Sequence, residues 1–174
     1  MILNDQFFSE IVMKIVVTVG STQFHKLISI IDSEEFIIEA KKQGYDEIIA
    51  QIGKYNEEIK NLNVYAEYFK PSEMKKYFSE ADLVIGHAGA GTIMEVLQLG
   101  KPLIVVYNDS LMENHQTELA EAMAKLNLLT MAGISNFLEI FKKGQFQPHK
   151  IILDCHEIVD SLANHFNLEN LKEN

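Results

Sequence analysis

The chain has 174 residues and a formal net charge of -10, which bounds it to about one domain and argues against nucleic acid or nonspecific adhesion to anionic lipid. A hydrophobic share of 47% suffices for a full core, and a single cysteine excludes an internal disulfide and points to a reducing compartment. All 15 basic residues are Lys, so bidentate guanidinium clamps on phosphate are unavailable within the chain.

Residues 1–13 read as an N-terminal extension. Met1 to Glu10 carries Asp5 and Glu10 and no basic n-region, unlike a secretory signal. Lys14 to Gly20 (KIVVTVG) is β-branched and continuous, the pattern of a strand buried on both faces of a parallel sheet. It ends in the small-residue turn Gly20-Ser21-Thr22. Phe24 to Gln43 has helical periodicity with a break near Asp32, where Ser33 can cap a second helix that Gly44 ends. Asp46 to Ile52 and the alternating Leu62 to Phe69 read as strands, separated by a polar loop. Pro71 and Ser72 open a helix to about Glu80. Asp82 to Gly86 is a fourth strand, about Thr92 to Leu99 a helix stopped by Gly100, and Pro102 to Asn108 a fifth strand. Glu113 to Leu126 is a helix, Leu128 to Met131 a short strand and Ile134 to Lys143 another helix. After the 144–149 linker, Ile151 to Leu171 is mostly a terminal helix with apolar Ile158, Leu162 and Phe166. No segment reaches the roughly 18 apolar residues of a membrane-spanning helix.

Strands alternate with helices throughout, so the expected fold is α/β, a Rossmann-like parallel sheet with helices on both faces. Ligands of such sheets bind beyond the carboxyl ends of the strands. The loops on that edge are Gly20-Ser21-Thr22, Phe69-Lys70-Pro71, Gly86 to Thr92 and Asn108 to Gln116. Ala81 to Val106 (ADLVIGHAGAGTIMEVLQLGKPLIVV) is the richest stretch. Its turn brings bare N–H groups of Gly89, Ala90, Gly91 and Thr92 to a helix N-terminus, which binds phosphate without a basic side chain. One turn into that helix stands the carboxylate of Glu95. The pair suits a nucleotide diphosphate, with its phosphates on the turn and its ribose hydroxyls on the acid. The competing readings are a plain strand–helix turn and a solvated acid favoured by the helix dipole.

The motifs VTVGST (Val17 to Thr22), DLVIGHAGAGTIMEVLQLGKPLIVV (Asp82 to Val106) and NDSLMENHQTELA (Asn108 to Ala120) resemble the small soluble subunits of the eukaryotic two-component UDP-N-acetylglucosamine transferase of dolichol-linked oligosaccharide synthesis. They are similar too to the C-terminal half of the bacterial transferase that makes lipid II, a glycosyltransferase family 28 C-terminal domain. The resemblance covers roughly residues 14–132 and implies the C-terminal half of a GT-B glycosyltransferase, which holds the donor, UDP-GlcNAc. It implies ribose binding by Glu95, and recognition of sugar hydroxyls and phosphate by Asn114, His115 and Gln116, whose alternative is N-terminal capping by Asn114. Gly20, Ser21 and Thr22 would line the cleft, or merely turn the chain. His87 suits the site or is a satisfied structural histidine. Phe69 and Lys70 would border uracil.

The resemblance further implies a half-enzyme. Its partner would be a membrane-anchored, acceptor-binding subunit on the cytosolic face of the endoplasmic reticulum, and its acceptor a lipid-linked sugar, GlcNAc-diphosphodolichol. Docking would fall to the segment with Ile158, Leu162 and Phe166, so the expected divisions are an extension (1–13), a donor domain (14–144) and a linker with docking helix (145–174). Displacement at the anomeric carbon would invert it, with the base on the partner. No HxxxH or converging carboxylates suggest a metal, and no cofactor is expected. The rivals are a bacterial-type split transferase subunit for polysaccharide synthesis and an inactive nucleotide-sugar-binding module. A nicotinamide-binding domain is disfavoured because Gly20-Ser21-Thr22-Gln23 lacks the GxGxxG pattern.

Overall fold

A computed structural model of the chain describes residues 12–20, 23–107 and 114–151, residues 114–116 by backbone alone. Among the described residues twelve elements follow in order: β1 (Met13–Thr18), α1 (His25–Ile31), α2 (Glu34–Lys42), β2 (Tyr45–Gln51), β3 (Val64–Ala66), α3 (Pro71–Glu80), β4 (Leu83–His87), α4 (Ala90–Gln98), β5 (Leu103–Tyr107), α5 (Asn114–Lys125), β6 (Thr130–Gly133) and α6 (Phe137–Lys142). The six strands form one sheet in the order β3-β2-β1-β4-β5-β6, and every pairing is parallel. Strand order reverses between β1 and β4, so a crevice opens above their carboxyl ends, where open α/β sheets bind ligands.

The period-2 alternation of strand side chains divides the core into two layers. Ile15, Val17, Ile85 and Val106 face one layer with Leu27, Ile28 and Ile31 of α1, Phe36 of α2, and Phe137 and Phe141 of α6. Val16, Val84 and Val105 face the other, with Met74 and Phe78 of α3 and Ile93, Val96 and Leu97 of α4. Burial on both faces explains why these strands read as continuous apolar runs. In the first layer the rings of Phe36 and Phe141 lie 4.6 Å apart, and Phe146 stacks on Phe141 at 6.0 Å. That stacking, with an Ile151 N–H bond to the Leu97 carbonyl at 3.2 Å, ties the stretch 145–151 to the domain.

Local chemistry sets the boundaries. Ser33 caps α2 by accepting from the Phe36 N–H at 3.2 Å. The Lys70 N–H donates to Glu73 Oε2 at 2.8 Å, and Pro71 starts α3 as the sequence predicts. Gly100, at φ 68°, closes α4 with its N–H on the Leu97 carbonyl and the Lys101 N–H on that of Val96.

Several element boundaries differ from the sequence expectation; helix α6 starts at Phe137 rather than Ile134, whose N–H instead bonds to the Tyr107 carbonyl at 2.9 Å. Only Val64–Ala66 of the expected Leu62 to Phe69 strand pairs, because the Leu62 N–H is taken by the Asp32 carboxylate at 3.0 Å. Helix α4 starts at Ala90 rather than Thr92, since Gly89 is already its cap, with its carbonyl accepting from the Ile93 N–H at 3.1 Å. Strand β6 begins at Thr130, not Leu128. Asn127 adopts φ 57° and Leu128 donates to the Met123 carbonyl at 3.0 Å, so both still belong to the end of α5.

Candidate functional site

The β1 and β4 ends meet at His87. This last residue of β4 lies between two glycine turns. A Cβ on Gly20 would stand 2.8 Å from Cε1 of the imidazole, and a Cβ on Gly89 2.8 Å from its Nε2. Only residues without side chains let the ring occupy this gap. Gly20 has a second reason to be glycine, because its φ of 59° is left-handed. Nδ1 of His87 is buried and has no hydrogen-bond partner among the described residues. Burial pushes the ring's pKa below the usual histidine value, and the Thr18 backbone works weakly in the opposite direction. The ring is therefore neutral at physiological pH.

Beyond His87 the chain turns sharply: its carbonyl accepts from the Gly89 N–H at 2.8 Å. Gly89 then caps α4 in an extended conformation (φ -76°, ψ 121°) with no side-chain cap bond. The first N–H groups of a helix have no acceptor inside it. Here no cap side chain competes for them, and they carry the positive end of the helix dipole. Among the described residues a Cβ on Gly91 would meet nothing within 4 Å, and Ala90 and Gly91 are exposed. Gly91 and Glu95 are four residues apart and Thr92 and Glu95 three, so all three share one helix stripe. Ile93, Val96 and Leu97 bury the opposite one. Oriented amides and a carboxylate thus line one open edge. That arrangement can hold an anion and accept hydrogen bonds from vicinal hydroxyls.

The family model described as "Glycosyltransferase family 28 C-terminal domain" matches residues 14–146. The chain belongs to this family.

Among curated relatives, the human UDP-N-acetylglucosamine transferase subunit ALG13 is 42% identical over 116 residues, covering 63% of this chain and 10% of that protein. Its Yarrowia lipolytica counterpart is 31% identical over 137 residues, covering 75% of this chain and 70% of that protein. The chain thus spans a small part of the mammalian relatives and most of the shorter yeast one. A solution structure of ALG13 superposes with a TM-score of 0.63 at 23% identity, over 92% of this chain and 96% of that one. The crystal structure of Acinetobacter baumannii MurG gives a TM-score of 0.54 at 24% identity, over 76% and 40%. At these identities the structures establish the fold: this is the α/β architecture of the C-terminal half of a GT-B glycosyltransferase.

The family 28 domain brings Gly20, His87, Gly89, Ala90, Gly91, Thr92 and Glu95 to one edge at the switch point. Asn114, His115 and Gln116 form the first turn of α5, the helix after β5 on the same edge. Ser21, Thr22, Ile158, Leu162 and Phe166 lie outside the described residues. Phe69 meets Tyr77 edge-on at 5.0 Å and precedes the start of α3. Among the described residues, no three metal-ligating side chains gather, and no helix is long and apolar enough to cross a membrane.

Sequence reasoning missed one polar pair. The Thr18 hydroxyl, 2% exposed, donates to Oε1 of Gln51, 5% exposed, at 2.6 Å. These lone polar residues in the apolar strand runs KIVVTVG and DEIIAQI were the available signal. Their partnership required the parallel register that sets Thr18 opposite Gln51.

Proposed function

We propose that this chain is the donor-binding catalytic subunit of an inverting N-acetylglucosaminyltransferase that takes GlcNAc from UDP-GlcNAc. The observation carrying the reading is the uncapped N-terminus of α4, open to solvent at the switch point, with Glu95 on the same stripe. In support, the Yarrowia lipolytica protein, 70% of whose length this chain covers, bears the name of a UDP-N-acetylglucosamine transferase subunit.

The donor's diphosphate sits against Gly89, Ala90, Gly91 and Thr92, beside His87 and the Gly20-Ser21-Thr22 turn. Glu95 accepts from the ribose hydroxyls, while Asn114, His115 and Gln116 read the sugar. An acceptor hydroxyl attacks the anomeric carbon, the bond from that carbon to the phosphate oxygen breaks, and UDP departs. The α4 amides meet the charge that builds on the leaving phosphate, the role of a preorganised oxyanion site, in place of a metal ion. The hydroxyl proton passes to a base on the partner.

The acceptor is GlcNAc-diphosphodolichol, held by a membrane-anchored subunit that recruits this chain to the cytosolic face of the endoplasmic reticulum. Residues 14–144 form the donor domain. Residues 145–151 tie back to it, and the segment beyond brings Ile158, Leu162 and Phe166 to the partner.

The test is transfer of radiolabelled GlcNAc from UDP-GlcNAc to a short-chain GlcNAc-diphospholipid, with this chain alone and with the membrane partner. Transfer only with both present is expected. Transfer by the chain alone would place the acceptor site here and refute the half-enzyme. Silence in both arms would leave another donor or a binding module as the reading.

A further inference from the structure

We infer that Thr18 and Gln51, two buried residues of the sheet, are positioning residues that hold the Gly20 turn and, through it, the His87 ring against the α4 N-terminus. As a statement about donor binding, this rests on the function proposed above. The geometric relay itself stands on the structure alone.

A hydroxyl buried in an apolar layer is costly unless its hydrogen bonds are made. Thr18 uses its hydroxyl twice. It donates to Gln51 Oε1 at 2.6 Å and accepts the Gly20 N–H at 3.2 Å. The direction is forced, because a backbone N–H only donates. With one lone pair committed to Gly20, the hydroxyl gives its proton to Gln51, which presents its oxygen. The glutamine therefore orients the hydroxyl, and the hydroxyl holds the amide of the left-handed glycine.

That glycine is one wall of the His87 gap, and Gly89, the cap of α4, is the other. Contact thus runs without a break from β2 through β1 and the Gly20 turn, across the crevice to His87, and on to the helix whose amides face the donor. Thr18 also lies opposite Gly86 in the β1–β4 register. A Cβ on Gly86 would stand 3.4 Å from Cγ2 of Thr92 and 3.7 Å from Cγ2 of Thr18. The pair consequently sits in the layer directly beneath the first turn of α4. Nothing in the core's apolar packing requires a polar pair here. Valine and leucine would fill the same layer, but would leave the Gly20 N–H without an acceptor.

The experiment uses the full chain, with the His87 Cε1–Hε1 NMR signal assigned by its loss in His87→Gln. Thr18→Val should move that signal and weaken UDP-GlcNAc binding roughly tenfold, about the worth of one hydrogen bond. Thr18→Ser, which keeps the hydroxyl, should return both to the wild-type values. Gln51→Leu should move the signal the same way by a smaller amount, and it serves if Thr18→Val does not fold. An unmoved His87 signal in either folded variant, or no rescue by Thr18→Ser, overturns the relay. If the signal responds as expected while the wild-type chain and its partner complex both fail to bind UDP-GlcNAc, the relay stands and the donor reading falls.

Discussion

The imidazole of His87 occupies the volume that a side chain on Gly89 would need, with its Nε2 2.8 Å from the missing Cβ. The two residues are two apart in sequence, and the Gly89 N–H returns to the His87 carbonyl at 2.8 Å, so neither moves without the other. Gly89→Ala should displace the ring and cost about 1–3 kcal/mol, the usual range for overpacking. In a His87→Ala background the same change should cost less, by at least about 0.5 kcal/mol. Urea titration of the four chains in the cycle measures this. Equal costs in the two backgrounds would show that the ring does not fill the gap.

Gly20→Ala meets the same ring and must also hold a φ of 59°. Left-handed backbone alone costs an alanine roughly 1–2 kcal/mol. This substitution should therefore destabilise more than Gly89→Ala, whose φ of -76° any residue adopts. The reverse order in urea midpoints would contradict the assignment of strain to Gly20.

Burial lowers the His87 pKa, which gives stability a pH dependence. Above the ordinary value of 6.5 the ring is neutral folded and unfolded, and contributes nothing to the difference. As pH falls below 6.5, the unfolded chain takes a proton that the folded ring resists, so stability declines. Carboxylates titrate too, so the comparison must be with His87→Gln. Between about pH 7.5 and about pH 5.5 the wild type should lose more stability than the variant. Identical losses would mean that the ring is accessible to protons when folded.

Glu95→Ala should weaken UDP-GlcNAc binding roughly 10- to 100-fold, as expected for hydrogen bonds to a charged group. The melting temperature should hardly change, because Glu95 lies off the buried stripe of α4. Calorimetric titration with UDP-GlcNAc and with UDP reads the affinity. Unchanged affinity would remove the ribose from this carboxylate.

Two truncations separate docking from folding. A chain ending at Ile151 keeps Phe146 stacked on Phe141 and the Ile151 N–H bond, and should fold while losing the proposed membrane partner. A chain ending at Gly144 loses those contacts too and should be less stable. Co-purification of either with the partner would remove the docking role from Ile158, Leu162 and Phe166.

The sequence disclosed this fold where local and global preferences agree. KIVVTVG is a continuous apolar run that both layers bury, and Ser33 caps α2, Pro71 opens α3 and Gly100 ends α4 by mechanisms confined to a few neighbouring residues. It was less informative where a distant group decides. The start of β3 depends on Asp32, which accepts from the Lys60 and Asn61 N–H groups at 2.8 Å and from Leu62 at 3.0 Å, about thirty residues away in the chain. The glycine turn before α4 was legible because it is contiguous. That His87 is walled by Gly20 as well as Gly89 was not, since it depends on β1 and β4 lying side by side.

The uncapped first turn of α4 has a consequence for how such a site is found and how it changes over time. Its donors belong to the main chain, and every residue but proline carries one. Alanine scanning removes side chains and would pass over these groups in silence, registering only Glu95 and its like. The turn is vulnerable to what is added, as at Gly89, rather than to what is taken away. Drift at Ala90 or Gly91 to anything but proline leaves the amides in place, so chains of this fold can keep the same donors while sharing few letters there.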